Sequence, residues 1–318
     1  MSDSPVVIIH NPIAGSGKAS HLARELESSL EARDIPARLE PTRKAGDGTR
    51  IAAEWEEKCR VLFVVGGDGT VREVIQGLQR FQTPLATLPA GTSNVLAMEL
   101  NLPREPEKAA RLAQEGALTH LDVMELHRKG ADPLRSLLFA GAGFDADVVH
   151  RVARRRKKTL EAKGKGNITK LSYLVPAIQA WFRIPEPSLR VVLDGSPLEG
   201  GPWGWVLVTN IASFGGLFHL GPGIHPGDGI LDVLALPAGT PAQILRYGLA
   251  GFFRVLPRVK GLRRAKAKRQ VRIEGKGGIP VQVDGDEGGF TPLTVKRLKF
   301  RVPFLVPAGK EIRKEASP

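Results

Sequence analysis

Val61-Leu62-Phe63-Val64-Val65-Gly66-Gly67-Asp68-Gly69-Thr70 is the stretch whose reading decides the fold. Five apolar residues, most of them branched or aromatic, read as a buried strand. Two glycines then allow a sharp turn and let a ligand come close to the backbone. Beyond Thr70, the residues Val71, Val74, Ile75 and Leu78 fall at i, i+3, i+4 and i+7, the spacing of a helix laid on a sheet. The loop therefore joins the C-terminal end of a strand to a helix N-terminus, where free N–H groups and a partial positive charge favour phosphate. Asp68 would repel a bare polyphosphate, and a divalent cation between carboxylate and phosphates removes the conflict. This predicts a Mg-nucleotide site, against the plainer reading of a Gly-rich βα turn.

Working outward, residues 5–10 (Pro-Val-Val-Ile-Ile-His) read as a first buried strand, followed by Asn11-Pro12-Ile13-Ala14-Gly15-Ser16-Gly17-Lys18. A P-loop would need Gly at Pro12 and Ser or Thr at Ala19. A dinucleotide fingerprint would need Gly at Ser20. Both fail, yet a strand, a Gly/Ser loop and a helix carrying Leu22, Leu26 and Leu30 remain. A short strand over 37–41 ends at Thr42, a helix is expected over 51–58, and a strand over 82–88 leads into Pro89-Ala90-Gly91-Thr92-Ser93-Asn94 and a helix over 95–100. Gly-containing loops after strands that alternate with helices are the mark of a parallel α/β sheet, whose ligands bind beyond the strands' carboxyl ends.

From about residue 120 the texture changes to short β-like runs over 121–127, 137–140, 189–193, 205–210, 230–235, 270–273 and 280–283. Turn residues separate them, as in an antiparallel sandwich or barrel. The boundary is expected near 131–134. This gives an α/β nucleotide-binding domain with a parallel sheet over 1–131, a β-rich antiparallel sandwich over 132–300, and a segment over 301–318 that returns to the first domain. Two basic blocks stand out, 150–170 with the single acid Glu161, and 246–269 with Phe252, Phe253 and Leu256 among its cations. Either block reads as a solvated charged face or as a contact for an anionic bilayer, at about 1 kcal/mol per Lys or Arg near the surface.

The 318 residues suggest two domains. A hydrophobic fraction of 42% with 25% charged residues is ordinary for a globular protein, whereas a formal charge of +13 implies an anionic partner. One cysteine, Cys59, excludes an intrachain disulfide. No signal pattern and no run of about 18 apolar residues occurs, so any membrane contact is expected to be peripheral, from the cytoplasm at the inner face. No recognised nucleic-acid motif accompanies the basic blocks, and nucleic acid is not expected. A homodimer stays open. His219 and His225 lack the partner ligands of a zinc site.

Seven motifs occur in one order: Asn11-Pro12 with Gly15, Gly66-Gly67-Asp68-Gly69-Thr70, Pro89-Ala90-Gly91-Thr92-Ser93-Asn94, Gly141-Ala142-Gly143-Phe144-Asp145-Ala146, Asn210 with Gly215-Gly216, Asp228-Gly229-Ile230-Leu231-Asp232, and Asp284-Gly285-Asp286. Over nearly the whole chain this resembles the diacylglycerol kinase catalytic-domain family, which includes bacterial lipid kinases and the sphingosine and ceramide kinases. The resemblance implies an ATP- and Mg²⁺-dependent lipid kinase with a cleft between an α/β and a β-rich domain, and a membrane lipid as acceptor, diacylglycerol by default. It places Asn11, Pro12, Gly15, Thr42, Gly66, Gly67, Asp68, Gly69, Thr70, Thr92 and Asn94 around ATP, with Asp68 also holding the catalytic Mg²⁺. It implies a structural Mg²⁺ on the carbonyl oxygens of His225 and Ile230 and the carboxylate of Asp228. Asp145, Asp147 and Asn210 would face the lipid, and Asp286 would be the general base, with adjacent Glu287 as the other candidate. Asp286 replaces the usual Glu, Val95 stands where many members carry Asp, and Arg72 where many carry Asn. Two further readings stay open: NAD kinase, because the Gly-Gly-Asp-Gly-Thr box is shared, and a catalytically inactive nucleotide- or membrane-binding regulator.

Overall fold

The computed structural model describes residues 4–163, 186–216 and 218–309. They form two compact units, one made from the chain up to Val123 and from Lys299 onward, the other from Met124–Leu298.

The first unit is an α/β domain with a mostly parallel sheet. Its strands are β1 (Val6–His10), β2 (Ala37–Pro41), β3 (Val61–Gly66) and β4 (Leu85–Pro89), in the order β2-β1-β3-β4. All pair in parallel, Val6 lying opposite both Ala37 and Val61, and Leu62 opposite Leu85. The last strand of the chain (Leu293–Val306) adds its C-terminal part beside β4, with Phe304 opposite Leu85. β1 and β3 are buried along their whole length, as continuous Val/Ile/Phe runs require when both faces are covered. Helices α1 (Lys18–Glu31), α2 (Asp47–Trp55) and α3 (Asp68–Gly77) connect the strands, followed by three short helices, α4 (Val95–Glu99), α5 (Pro106–Ala110) and α6 (Leu112–Glu115). α1 turns Ala19, Ala23, Leu26 and Leu30 onto Ile8, Phe63 and Val65. Residues from Lys299 onward are tied in by the ion pair of Arg301 with the fully buried Asp122, 2.9 Å long. Phe300 stacks on Phe81 at 6.1 Å.

Two helix boundaries differ from expectation. α3 begins at Asp68 and so takes Gly69 and Thr70 into its first turn. α2 spans Asp47–Trp55 rather than 51–58, because the Asp47 carboxylate accepts the N–H groups of Arg43 and Lys44 and fixes the helix start.

The second unit is an antiparallel β sandwich. One sheet runs β14 (Arg263–Ala267), β13 (Leu231–Leu236), β10 (Trp205–Thr209), β7 (Phe139–Gly143), β16 (Pro280–Val283) and β17 (Asp286–Phe290). The other strands are β5 (Ala117–Arg128) paired with β6 (Ala131–Ser136), and β15 (Gln270–Glu274) paired with β8 (Arg190–Leu193) and with β18, the strand Leu293–Val306. β9 (Ser196–Pro197) extends β8, and β11 (Ser213–Phe214) pairs with β12 (Phe218–His219). Leu126, Val208, Val233, Ile273, Val283 and the fully buried Trp203 lie in the core that the strands enclose.

Among the described residues two α-helices interrupt what reads as an all-β stretch: α7 (Phe144–Lys163) and α8 (Pro241–Phe252). Each coincides with the start of a basic block, where charge obscured the helical period. Phe144, Val148 and Val152 nevertheless recur every four residues and form a small cluster of their own. In the first block Arg154, Arg155, Lys157 and Lys158 are exposed on α7, while Lys165 and Lys170 and the side chains of Arg156 and Lys163 lie outside the described residues. Strand β7 starts two residues later than the run over 137–140 suggested, since Leu138 N–H is drawn to the Ser136 hydroxyl. Among the described residues no helix is long and apolar enough to cross a membrane.

Candidate active site

In the first unit the sheet order reverses at β1: the chain steps from β1 outward to β2, then returns to lay β3 on the other side. Loops leaving β1 and β3 therefore diverge at their carboxyl ends and leave a crevice there. The three Gly-containing loops meet in that place. Asn11 N–H donates to Val65 O and Ala90 N–H to Gly66 O, which ties the loop after β1 and the loop after β4 to the end of β3. Gly15 is left-handed (φ 59°), and a Cβ on it would run into the carbonyl oxygen of Ala90. Gly67 and Gly91 pack Cα to Cα, and the Asn94 side chain closes the β4 loop on itself through Gly91 N–H and Gly91 O. The Asn11 side chain accepts Ile13 N–H at 3.2 Å. Thr70 is buried against Gly66, Thr42 is held by its N–H to His10 O, and Thr92 is exposed on the β4 loop. Pro12 lies in the loop after β1, Gly66 closes β3, and Gly69 sits in the first turn of α3.

An Ala at Gly15 must adopt a left-handed backbone, which costs about 1–2 kcal/mol, and must also displace the Ala90 carbonyl. We expect Gly15→Ala to lower stability by about 2 kcal/mol or more in urea unfolding and to weaken nucleotide binding. An unchanged midpoint would contradict the loop packing.

Asp68 occupies the centre of this cluster. Its carboxylate accepts Val95 N–H at 2.9 Å and Leu96 N–H at 3.1 Å, and thus caps α4 from the first turn of α3. Burial raises its pKa, the amide hydrogen bonds opposing but not cancelling that effect. Among the described residues no Lys or Arg pairs with it. A half-buried carboxylate without a cationic partner among the described residues, with lone pairs beyond those taken by the amides, fits one ligand of a hard divalent ion. Val95 is itself buried and offers only its N–H to the arrangement.

The second unit carries the remaining predicted residues in separate settings. Asp284 and Gly285 both have positive φ (51° and 86°), so the two-residue turn joining β16 to β17 is the primed type that Asp-Gly favours. Asp284 is bound into the fold: its carboxylate accepts the Ser136 hydroxyl at 2.6 Å and Phe139 N–H at 3.0 Å. Asp286 is therefore the first residue of the returning strand, exposed and opposite Val283, while Glu287 lies opposite Gln282. Consecutive strand residues point to opposite faces. Glu287 faces α7, its Oε1 lying 3.6 Å from His150 Nδ1, and the other ring nitrogen of His150 bonds Val281 O at 2.8 Å.

Asp145, in the first turn of α7, is buried. Gln282 Nε2 donates to its Oδ2 at 2.9 Å, and Gln282 Oε1 accepts Gly285 N–H at 3.0 Å. One buried amide thus links the Asp145 carboxyl to the turn that presents Asp286. Burial pushes the Asp145 pKa up to about 7. Asp147 forms an ion pair with Arg151 one turn on, at 2.7 Å. Asn210 is buried and donates its side-chain N–H to Leu137 O at 3.3 Å.

In the loop before β13, Asp228 Oδ1 accepts Ile230 N–H at 2.9 Å. Next to it Asp232 is almost wholly buried, with Oδ2 lacking a hydrogen bond and Lys266 Nζ 3.8 Å from Oδ1. Burial, with Asp228 adding repulsion, pushes the Asp232 pKa up to about 6. Among the described residues no group of three His, Cys, Asp or Glu side chains could hold a metal by side chains alone. A cation here would rely on loop carbonyls such as those of His225 and Ile230 plus the Asp228 carboxylate, and the Asp232 Oδ2 without a hydrogen bond lies beside that loop, with Lys266 already near its other oxygen.

Sequence reasoning missed His150, Gln282, Asp284 and Asp232 as residues that shape these settings. The Asp-Gly pair between two short apolar runs was the available signal for Asp284. Nothing in the sequence pairs Gln282 with Asp145, 137 positions away.

Comparison with known proteins follows the same division. Residues 5–126 match the diacylglycerol kinase catalytic domain model, and residues 139–305 match the YegS C-terminal NAD kinase beta sandwich-like domain model. A protein named "Diacylglycerol kinase" from Bacillus subtilis is 25% identical, covering 95% of this chain and 96% of its own. A Pseudomonas aeruginosa protein named "Probable lipid kinase YegS-like" is 29% identical, covering 98% and 97%. The crystal structure of a diacylglycerol kinase from Bacillus anthracis superposes with a TM-score of 0.69 at 21% identity, over 96% of this chain and 97% of that one. With an α/β unit whose loops gather around Asp68 and a sandwich matched over more than half the chain, this protein belongs to the diacylglycerol kinase catalytic-domain family of kinases.

Proposed function

We propose that the protein is an ATP- and Mg²⁺-dependent lipid kinase that phosphorylates a hydroxyl of a membrane lipid, with diacylglycerol as the first candidate. The observation that carries this reading is the gathering of three Gly-containing loops around a half-buried Asp68 that accepts backbone amides and pairs with no cation among the described residues, in a chain of this family. The loop N–H groups and the N-terminus of α3 orient the phosphates of ATP. When bound, Mg²⁺ at Asp68 supplies neutralisation of charge on the transferring phosphoryl group. Asp286 takes the proton of the acceptor hydroxyl. Catalysis then rests on positioning and electrostatics, the terms that dominate phosphoryl transfer.

The pairing of Asp147 with Arg151 favours a neutral acceptor over a sphingoid amine, since the carboxylate that would meet an ammonium already has a cation. The test is transfer of labelled γ-phosphate from ATP into a total lipid extract, resolved by lipid class. We expect labelled phosphatidic acid. Phosphorylation of NAD without any labelled lipid would move the assignment to NAD kinase, and bound nucleotide with no transfer to either would move it to an inactive regulator.

A further inference from the structure

α8 is a surface helix with the wrong surface. It is well defined at its start, where Thr240 and Gln243 form a reciprocal capping box and Pro241 fills the first helical position. Ile244, Tyr247, Ala250 and Gly251 turn inward, Gly251 packing on Phe218. The opposite side of such a helix is ordinarily polar. Here it carries Leu245, Leu249 and Phe252, at i, i+4 and i+7, and they are 45%, 50% and 58% exposed. Phe253 and Val255 extend this stripe at 66% and 39%, and Phe252 and Phe253 meet edge to face at 5.3 Å. Half of the large exposed hydrophobic side chains of the described residues lie within these eleven positions, so they form a patch rather than isolated cases.

Charge identifies the occupant. No Asp or Glu occurs between Asp232 and Glu274 in the sequence. Arg246, Arg254, Arg258 and Lys260 border the apolar stripe, are exposed, and form no ion pair among the described residues. A second copy of the chain docked across a two-fold axis would bring these cations together, a repulsive arrangement. A bilayer containing anionic lipid satisfies both parts at once, taking the apolar stripe below the headgroups and the cations among them.

We propose that α8 and the turn after it form a membrane-docking wedge, with Leu249, Phe252 and Phe253 inserted into an anionic bilayer. This rests on the lipid-kinase reading for its purpose, as it would bring the enzyme to its acceptor, but binding is measured without the reaction. It also goes beyond electrostatic attraction of a basic block, because the apolar residues supply a component that salt does not screen.

Sedimentation of the full chain with phosphatidylcholine vesicles, with and without phosphatidylglycerol, tests it. The wild type should sediment with anionic vesicles and retain part of that binding at high salt. Phe252→Ser/Phe253→Ser, a change at exposed positions, should weaken partitioning by about tenfold or more and leave a remainder that salt abolishes. Arg246→Gln/Arg254→Gln should reduce binding to anionic vesicles and leave binding to neutral ones unchanged. Wild-type partitioning by the double Ser variant, or no binding of the wild type to anionic vesicles, overturns the proposal. So does a wild-type dimer in lipid-free solution that the double Ser variant converts to monomer, since the patch would then be a self-contact. Activity on a water-soluble short-chain diacylglycerol separates the two readings. If the double Ser variant keeps that activity but loses activity on vesicles, both stand. If the wild type lacks activity on both while binding vesicles, the lipid-kinase reading fails and the docking surface stands.

Discussion

Asp286→Asn should lower phosphate transfer to lipid by about 10²–10⁴-fold, mostly in kcat, while leaving nucleotide binding and stability near wild type. The size is that of removing a positioned general base. Stability should hold because Asp286 is exposed, opens a strand and is replaced by an isosteric side chain. Its turn is held by Asp284, whose carboxylate accepts the Ser136 hydroxyl and Phe139 N–H. Glu287→Gln is the matched control. Glu287 is one residue along the same strand and so faces the other way, toward His150 on α7. It should therefore cost less than about tenfold. A collapse with Glu287→Gln and not with Asp286→Asn would transfer the role of base to Glu287, and no loss with either would remove the base from this hairpin altogether. The pH profile gives an independent reading, because a missing base removes the acidic limb of kcat/KM whereas a repositioned turn lowers the whole curve.

The first unit was legible because its signals are local. Runs such as Val6-Val7-Ile8-Ile9 and Val61-Leu62-Phe63-Val64-Val65 admit one reading when each ends in a Gly-rich loop and is followed by a period near four. The sequence offers these loops as a phosphate site, a reading that the proposed function carries forward, and their meeting in the structure follows from the strand order. The helix starts were less legible. α2 begins four residues early because a side chain, Asp47, reaches back to two amides, an arrangement that hydrophobic period does not report. In the second unit the strands lie roughly where alternating apolar runs put them, but the two α-helices of the described residues, α7 and α8, do not show in the pattern. α7 opens with two acids and runs into consecutive arginines and lysines, so its apolar positions are sparse. α8 is apolar on both sides, which flattens the contrast that a period depends on. The relations that shape the sandwich site are longer in range still. Asp145, Gln282 and Gly285 come together only because β7 and β16 pair, with Gly141 opposite Gln282, and no local pattern encodes that register.

That relation sets the other large effect. Asp145 is an acid in a place that excludes water, and burial outweighs the hydrogen bonds from Gln282, the helix amides and Trp205, so its pKa stands at about 7 against an ordinary value of 3.8. The folded protein therefore holds this proton more tightly than the unfolded chain does. The stability it contributes is fully present below about pH 4, declines as pH rises through the interval from about 4 to about 7, and is absent above that. The whole difference is roughly 4 kcal/mol at about 1.36 kcal/mol per unit. Asp145→Asn keeps the shape and an oxygen to accept the Gln282 amide, but it cannot ionise. Its unfolding midpoint in urea should be level across that interval where the wild type falls. The variant should match the wild type near pH 4 and exceed it by up to about 4 kcal/mol at pH 8. Parallel curves for the two proteins over the interval would show that the carboxyl does not titrate there. If Asp286 is the base, as proposed, the same proton would act on the reaction through Gln282, which holds Gly285 N–H beside Asp286. An anion at Asp145 strengthens the grip on the Gln282 amide, and a neutral group relaxes it. Asp145→Asn should consequently shift kcat modestly while abolishing any dependence of the turn's amide exchange on pH between about 4 and 7, a signature that simple loss of a core contact would not produce.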